Sequence, residues 1–151
     1  MVWGAFCASG VGRFYKVEGK MKKEQYLKIV NQEAVPSGLE LLGEGFIFQQ
    51  DNDPKHTAKI VKARFAELHE EGVLTLLPWP SQSPDLNPIE HVWGILDRKA
   101  KDRKCNTLDE LMDVLRKSWA ALPVDTLRSL IHSMPRRIQA VIAAKGGNTK
   151  Y

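Results

Sequence analysis

Two short apolar runs, Phe46-Ile47-Phe48 and Val73 to Leu77, bracket a segment in which Ala58, Val61, Phe65 and Leu68 recur every three or four residues. Runs this short read as strands in a covered sheet, and the spacing between them is that of a helix face. A strand–helix–strand alternation hides its apolar faces in a mixed sheet flanked by helices, so the fold class is α/β. In open α/β sheets, ligands and catalytic groups gather beyond the carboxyl ends of strands. Beyond Phe48 stands the polar stretch QQDNDPKHTA, residues 49–58.

The rest of the chain supports that unit. VWGAF (2–6) and RFYKV (13–17), joined through Gly10 and Gly12, predict a β-hairpin. Tyr26, Leu27 and Val30 predict a first helix, followed by a turn-rich segment holding Pro36, Gly38, Gly43 and Gly45. Thr57 is placed to cap the helix that ends near Glu71 and Gly72. SQSPDLNP (81–88) reads as a rigid loop, and Asn87 and Pro88 open a helix with Ile89, Trp93, Leu96 and Ala100 on one face. That spacing puts Trp93 in the core rather than on a base-stacking surface. A Thr107–Glu110 capping box starts another helix, with Leu108, Leu111, Leu115, Trp119 and Leu122 as its buried stripe. Residues 124–144 are expected to be helical with a restart at Pro135, and GGNTKY (146–151) is expected to fray.

With 151 residues the chain has enough length for one core, and 43% hydrophobic and 26% charged residues describe an ordinary globular protein. A net charge of +4 permits a nucleic-acid partner without requiring one. Cys7 and Cys105 are far apart and lack CxxC spacing, which excludes a zinc site and reads as reduced thiols. No secretory signal or membrane span is visible, so an intracellular protein with no membrane partner is expected.

Asp51 at the strand end and Glu90 at the next helix start are the acids best placed to hold a hard cation through oxygen. Asn52, Asp53, His56 and Asn87 would orient ligands, water or phosphate around them. Each has a plainer explanation. Asp51 to Pro54 is a good Asx-turn by composition, and Glu90 stands three residues after Asn87 in capping-box position. Asp97, seven residues further along the same helix side, is the fallback if Glu90 only caps.

VWGAF, FQQDNDPKHTA and PWPSQSPDLNPIEHVW (78–93), in that order, resemble the catalytic domain of Tc1/mariner-type DNA transposases. The resemblance implies an RNase H-like DDE endonuclease fold over residues 1–122, with 123–151 as a helical extension and tail. It makes Asp51 and Glu90 the second and third members of a metal-binding acidic triad, with Mg²⁺ or Mn²⁺ as cofactor. It implies strand cleavage and strand transfer on DNA, with transposon ends and target DNA as partners and the nucleus as location. The family's first aspartate lies upstream of the segment like VWGAF, and so do its helix-turn-helix units. The chain is therefore expected to be incomplete at its N-terminus and inactive alone, or to be a domesticated or relic fragment that binds DNA or protein. The 38 residues between Asp51 and Glu90 exceed the usual Tc1-type separation, and the excess is expected around KARFAELHEEGV (62–73).

Arg98, Lys99, Lys101, Arg103 and Lys104 follow the Glu90 helix, and Lys55 and Lys59 flank the Asp51 turn. Together they are candidates for DNA backbone contacts, though any one of them alone fits a solvated face. Arg136, Arg137 and Lys145 are candidates for contacts with a second copy of the chain.

Overall fold

The computed structural model describes residues 1–145, 147 and 149–151. The fold is an open, mixed α/β arrangement of strands with flanking helices. Contacts divide it into two units, residues 1–5 with 12–82 and residues 6–11 with 83–151.

In the first unit, β1 (Val2–Cys7) and β2 (Gly10–Lys16) form the expected hairpin, whose tip counts with the second unit. α1 (Lys23–Ile29) runs through a π-helical turn (Val30–Ala34) into α2 (Val35–Leu42). The turn expected at Pro36 and Gly38 is therefore helix. Pro36 has no amide hydrogen for the carbonyl of Gln32, four residues earlier. A π turn with the Val35 amide on the Val30 carbonyl absorbs the mismatch. Arg13 Nη1 donates to the Gln32 carbonyl at 2.8 Å. The Arg13 amide also donates to the buried Ser37 hydroxyl at 2.9 Å, fastening β2 to α2.

β3 (Phe46–Phe48) pairs in parallel with β4 (Leu74–Leu76), in register Phe46 to Leu74 and Phe48 to Leu76. α3 (Lys59–Glu70) is the crossover, and Gly72, at φ +73°, turns the chain into β4. Tyr26, Val30, Phe46, Val61, Phe65, Leu68 and Leu74 make the core between these elements. The strand pair is not buried on both faces as expected, since Ile47 is 66% exposed and Thr75 is also open. Alternation along a strand sends every second side chain to the other face, so a continuous apolar run need not be wholly buried. Thr57 does not cap α3. Ala58 holds that position with extended backbone, and the Thr57 hydroxyl donates to the Asp53 carbonyl at 3.3 Å.

In the second unit a 3₁₀ turn (Pro84–Leu86) precedes α4 (Ile89–Arg103), which packs on α5 (Leu108–Ala120). Trp93 and Trp119 stack with ring centroids 5.6 Å apart, so Trp93 packs against a neighbour as its spacing implied. The Thr107 hydroxyl accepts from the Glu110 amide at 3.1 Å, while Glu110 Oε2 accepts from Asn106 rather than from Thr107. Leu108 is 60% exposed, contrary to the expected stripe, and the buried face runs through Met112 and Trp119. α6 (Val124–His132) and α7 (Met134–Ala143) come next, with Pro135 in the first turn of α7. Of the tail expected to fray, Gly146 and Asn148 lie outside the described residues, whereas Thr149 and Tyr151 make defined contacts.

Gly38 is where α2 meets β3. A Cβ there would lie 2.1 Å from Phe46 Cζ. Alanine in a helix gains about 1 kcal/mol over glycine, but overpacking a core costs about 1–3 kcal/mol. The Phe46 ring is 7% exposed and has little room to retreat, so the clash wins. Gly38→Ala is expected to lower stability by up to about 2 kcal/mol net, read as a lower urea midpoint at unchanged slope.

Candidate metal-binding turn and helix start

β3 hands the chain to Gln49 and Gln50, and the strand ladder persists just beyond it, with the Leu77 amide donating to the Phe48 carbonyl at 2.8 Å. Asp51 then stands at the carboxyl end of β3, its side chain 55% exposed. Asp51 Oδ1 accepts from the Asp53 amide at 3.2 Å and from His56 Nδ1 at 2.6 Å. Since a carboxylate only accepts, the proton belongs on Nδ1. Asn52 Nδ2 donates to the Trp79 carbonyl at 2.7 Å, tying the turn to the segment after β4.

Asp53 is the turn former. Its Oδ1 accepts from the Lys55 amide at 3.0 Å, its Oδ2 pairs with Lys55 Nζ, and its carbonyl accepts from His56 and Thr57. Burial alone would raise the Asp53 carboxyl. The Lys55 hydrogen bonds and charge outweigh that and hold it below the usual carboxylate range. The Asx-turn explanation therefore holds for both acids, Asp51 through the Asp53 amide and Asp53 through the Lys55 amide, and the Asp51 side chain is the more exposed of the two.

His56 is largely covered, at 14% side-chain exposure, and its ring lies on Tyr26 with centroids 3.9 Å apart. Its Nε2 is buried and has no hydrogen-bond partner among the described residues. Burial pushes the imidazole below its ordinary value and Lys55 adds to this, against the pull of Asp51 and Asp53. His56 is thus a neutral donor to Asp51. Tyr26 is 1% exposed, and its hydroxyl donates to Gln50 Oε1 at 2.5 Å. Burial, followed by Asp51 and Asp53, drives the phenol far above its ordinary value, so it stays protonated. Sequence patterning places Tyr26 in the helix core and gives Gln50 no role. The only available signal is that a buried tyrosine hydroxyl needs a partner.

In the second unit, Glu90 is exposed in the first turn of α4, and its amide donates to the Asn87 carbonyl at 3.2 Å. Asn87 is extended, at φ −97° and ψ 102°, between the 3₁₀ turn and the helix. Asp97 pairs with Lys101 at 2.6 Å. Arg98, Lys99, Arg103 and Lys104 are exposed on or just after α4, as is Lys59 at the start of α3, while Lys55 is engaged with Asp53. The structure thus gathers Asp51, Asn52, Asp53, Lys55 and His56 in one turn, and sets Asn87, Glu90 and the basic run along α4. Among the described residues no group of three or more His, Cys, Asp or Glu side chains is gathered as a metal-binding cluster. Asp51 and Glu90 are hard oxygen donors open to solvent, the donor type that Mg²⁺ and Mn²⁺ take.

A short parallel strand pair with a helical crossover, followed by helices that bring a second acid to a helix start, is matched by a known family profile. The profile of the DDE superfamily endonucleases covers residues 1–112, and the chain belongs to that family. Its branch is the Tc1/mariner type. The Tc1 transposase of Caenorhabditis elegans is 44% identical over 151 residues, all of this chain and 54% of its own length. The chain spans about half the length of the curated relatives it matches most fully. Among solved structures, the Mos1 transposase catalytic domain with raltegravir and Mg superposes at TM-score 0.83 and 21% identity, over 99% of this chain and 76% of that one. The Mos1 mariner paired-end complex with Mn does so at TM-score 0.86 and 21% identity, over 99% and 44%. These likenesses bear out the RNase H-like fold expected from the motifs. Among the described residues no helix is long and apolar enough to cross a membrane.

The lowered His56 value fixes the sign of a pH effect. An imidazole that binds its proton less well folded than unfolded contributes full stability above about pH 6.5, its ordinary value. That contribution is lost as pH falls from there toward the lower folded value. The melting temperature of the chain is expected to fall as pH drops below about 6.5. In His56→Asn, which keeps a donor near the Nδ1 position, this component of the fall disappears.

Proposed function

We propose that the chain supplies the part of a transposase that binds divalent metal and DNA for strand cleavage and strand transfer. Asp51 and Glu90 each contribute a metal-binding carboxylate. The observation that carries this is the Asp51 turn. One carboxylate oxygen is held by His56 and the Asp53 amide, and the group faces solvent at the end of β3. Bound Mg²⁺ or Mn²⁺ would neutralise charge on phosphate oxygens during phosphoryl transfer. His56 keeps the Asp51 carboxylate in one orientation, and Asn52 keeps the turn fixed against the Trp79 segment. The exposed Arg98, Lys99, Arg103, Lys104 and Lys59 contact DNA phosphates, with Lys101 and Lys55 joining where DNA displaces their acidic partners. Such contacts give affinity that falls steeply with salt and carries little sequence information. A protein with these substrates works in the nucleus.

Mn²⁺ titration of the chain, followed by electron paramagnetic resonance, tests this directly. Asp51→Asn and Glu90→Gln are each expected to weaken binding by about tenfold or more, since losing a ligand should cost at least as much as losing a group that orients one. Binding insensitive to both would favour a fragment that binds DNA or protein and uses its acids structurally. Mn²⁺-dependent nicking of labelled duplex DNA, abolished by both substitutions, would add cleavage to metal binding.

A further inference from the structure

Arg137, by sequence a candidate for contacts with a second copy, is only 4% exposed, an unusual place for an arginine. Its Nε donates to the Ser133 hydroxyl at 2.9 Å, and Ser133 in turn donates to the Leu130 carbonyl at 2.6 Å. Its Nη1 donates to the backbone carbonyl of Asp85 at 2.8 Å, across 52 residues of sequence. A second link reaches the same residue independently, since the Thr149 hydroxyl donates to Asp85 Oδ2 at 3.0 Å. The Tyr151 ring then covers the guanidinium, 5.0 Å from its carbon to the ring centroid.

The gripped residue leads directly into the helix that carries Glu90. Asp85 is the middle residue of the 3₁₀ turn, and Leu86 beside it is buried. Backbone bonds then lie on both sides of the extended Asn87, which belongs to the last bond of the turn and the first of the helix start. Leu86 donates to Ser83, Asn87 to Pro84, Glu90 to Asn87 and His91 to Pro88. A short 3₁₀ turn has weak bonds of its own and needs outside restraint to hold one geometry. A buried guanidinium left without acceptors would be costly, so Arg137 and the turn fix each other.

We propose that Arg137, Thr149 and Tyr151 form a clamp on Asp85 that sets the start of α4, making them positioning residues for Glu90. The role given to Glu90 rests on the proposed function; the clamp itself does not.

Hydrogen exchange of the full chain, read by mass spectrometry, tests it. Truncating the buried Arg137 puts folding itself at risk, so the decisive variants are Thr149→Val, Thr149→Ser and Tyr151→Ala. Thr149→Val and Tyr151→Ala are expected to speed exchange over residues 83–91 by about fivefold, the scale of one net hydrogen bond. Residues 108–120 should be unchanged, and Thr149→Ser, which keeps the hydroxyl, should stay near the parent. Unchanged exchange at 83–91 in Thr149→Val overturns the clamp, and so does an equal rise across α5. Thr149→Val should also weaken Mn²⁺ binding in the parent chain but not in a Glu90→Gln background. If Glu90→Gln leaves Mn²⁺ binding intact, the role of Glu90 falls, and the exchange result still decides the clamp.

Discussion

Pro36 gives no hydrogen to the Gln32 carbonyl, and the arrangement of the first unit turns on how that carbonyl is satisfied. Arg13 reaches it from β2, and the π turn takes up the surplus residue, so α1 and α2 stay joined where a proline would otherwise break them. The same arginine pairs with Glu40 at 2.6 Å and gives its amide to Ser37. With the helices held in register, Gly38 meets the Phe46 ring and Tyr26 sinks into the core. Gly38 and Tyr26 thereby bring these helices against Phe46 of β3, the strand that leads to the candidate site.

From Tyr26 the chain of support runs to the acid. Its ring backs His56, and His56 presents a hydrogen to Asp51. An uncharged imidazole orients the carboxylate without competing with a cation for its charge, which a protonated histidine or a lysine would do. Lys55, in the same turn, is occupied by Asp53. Two carboxylates two residues apart thus both close the turn, and the Asp51 carboxylate is the more open to solvent.

Much of this was legible in the sequence, for physical reasons. The strand–helix–strand unit shows because its periods differ, and the capping hydroxyl of Thr107 and the restart at Pro135 show because local chemistry decides them. Pro36 and Gly38 misled for the same reason, since their local preference for a turn is overridden by Arg13 and Phe46, residues distant in sequence. Ile47 and Leu108 look buried by composition, and only packing reveals that both are largely exposed. Asp51, Asn52 and His56 were legible as a group, whereas the Tyr26 brace is announced only by the need of a buried hydroxyl for a partner, and the Trp79 carbonyl is a tertiary partner with no sequence signal. Arg137 ran against its own type, because an arginine is read as surface until its acceptors are known.

The bond from Asn52 to Trp79, with the Leu77 amide on the Phe48 carbonyl, closes residues 49–78 into a loop tied at its neck. Between those ties α3 is the crossover, and residues added in it or in the turn at Gly72 leave the neck shut. Closing a longer loop costs little, because the entropic penalty grows only with the logarithm of length. The count of residues from Asp51 to Glu90 therefore includes the slack of a crossover whose length the closed neck does not fix.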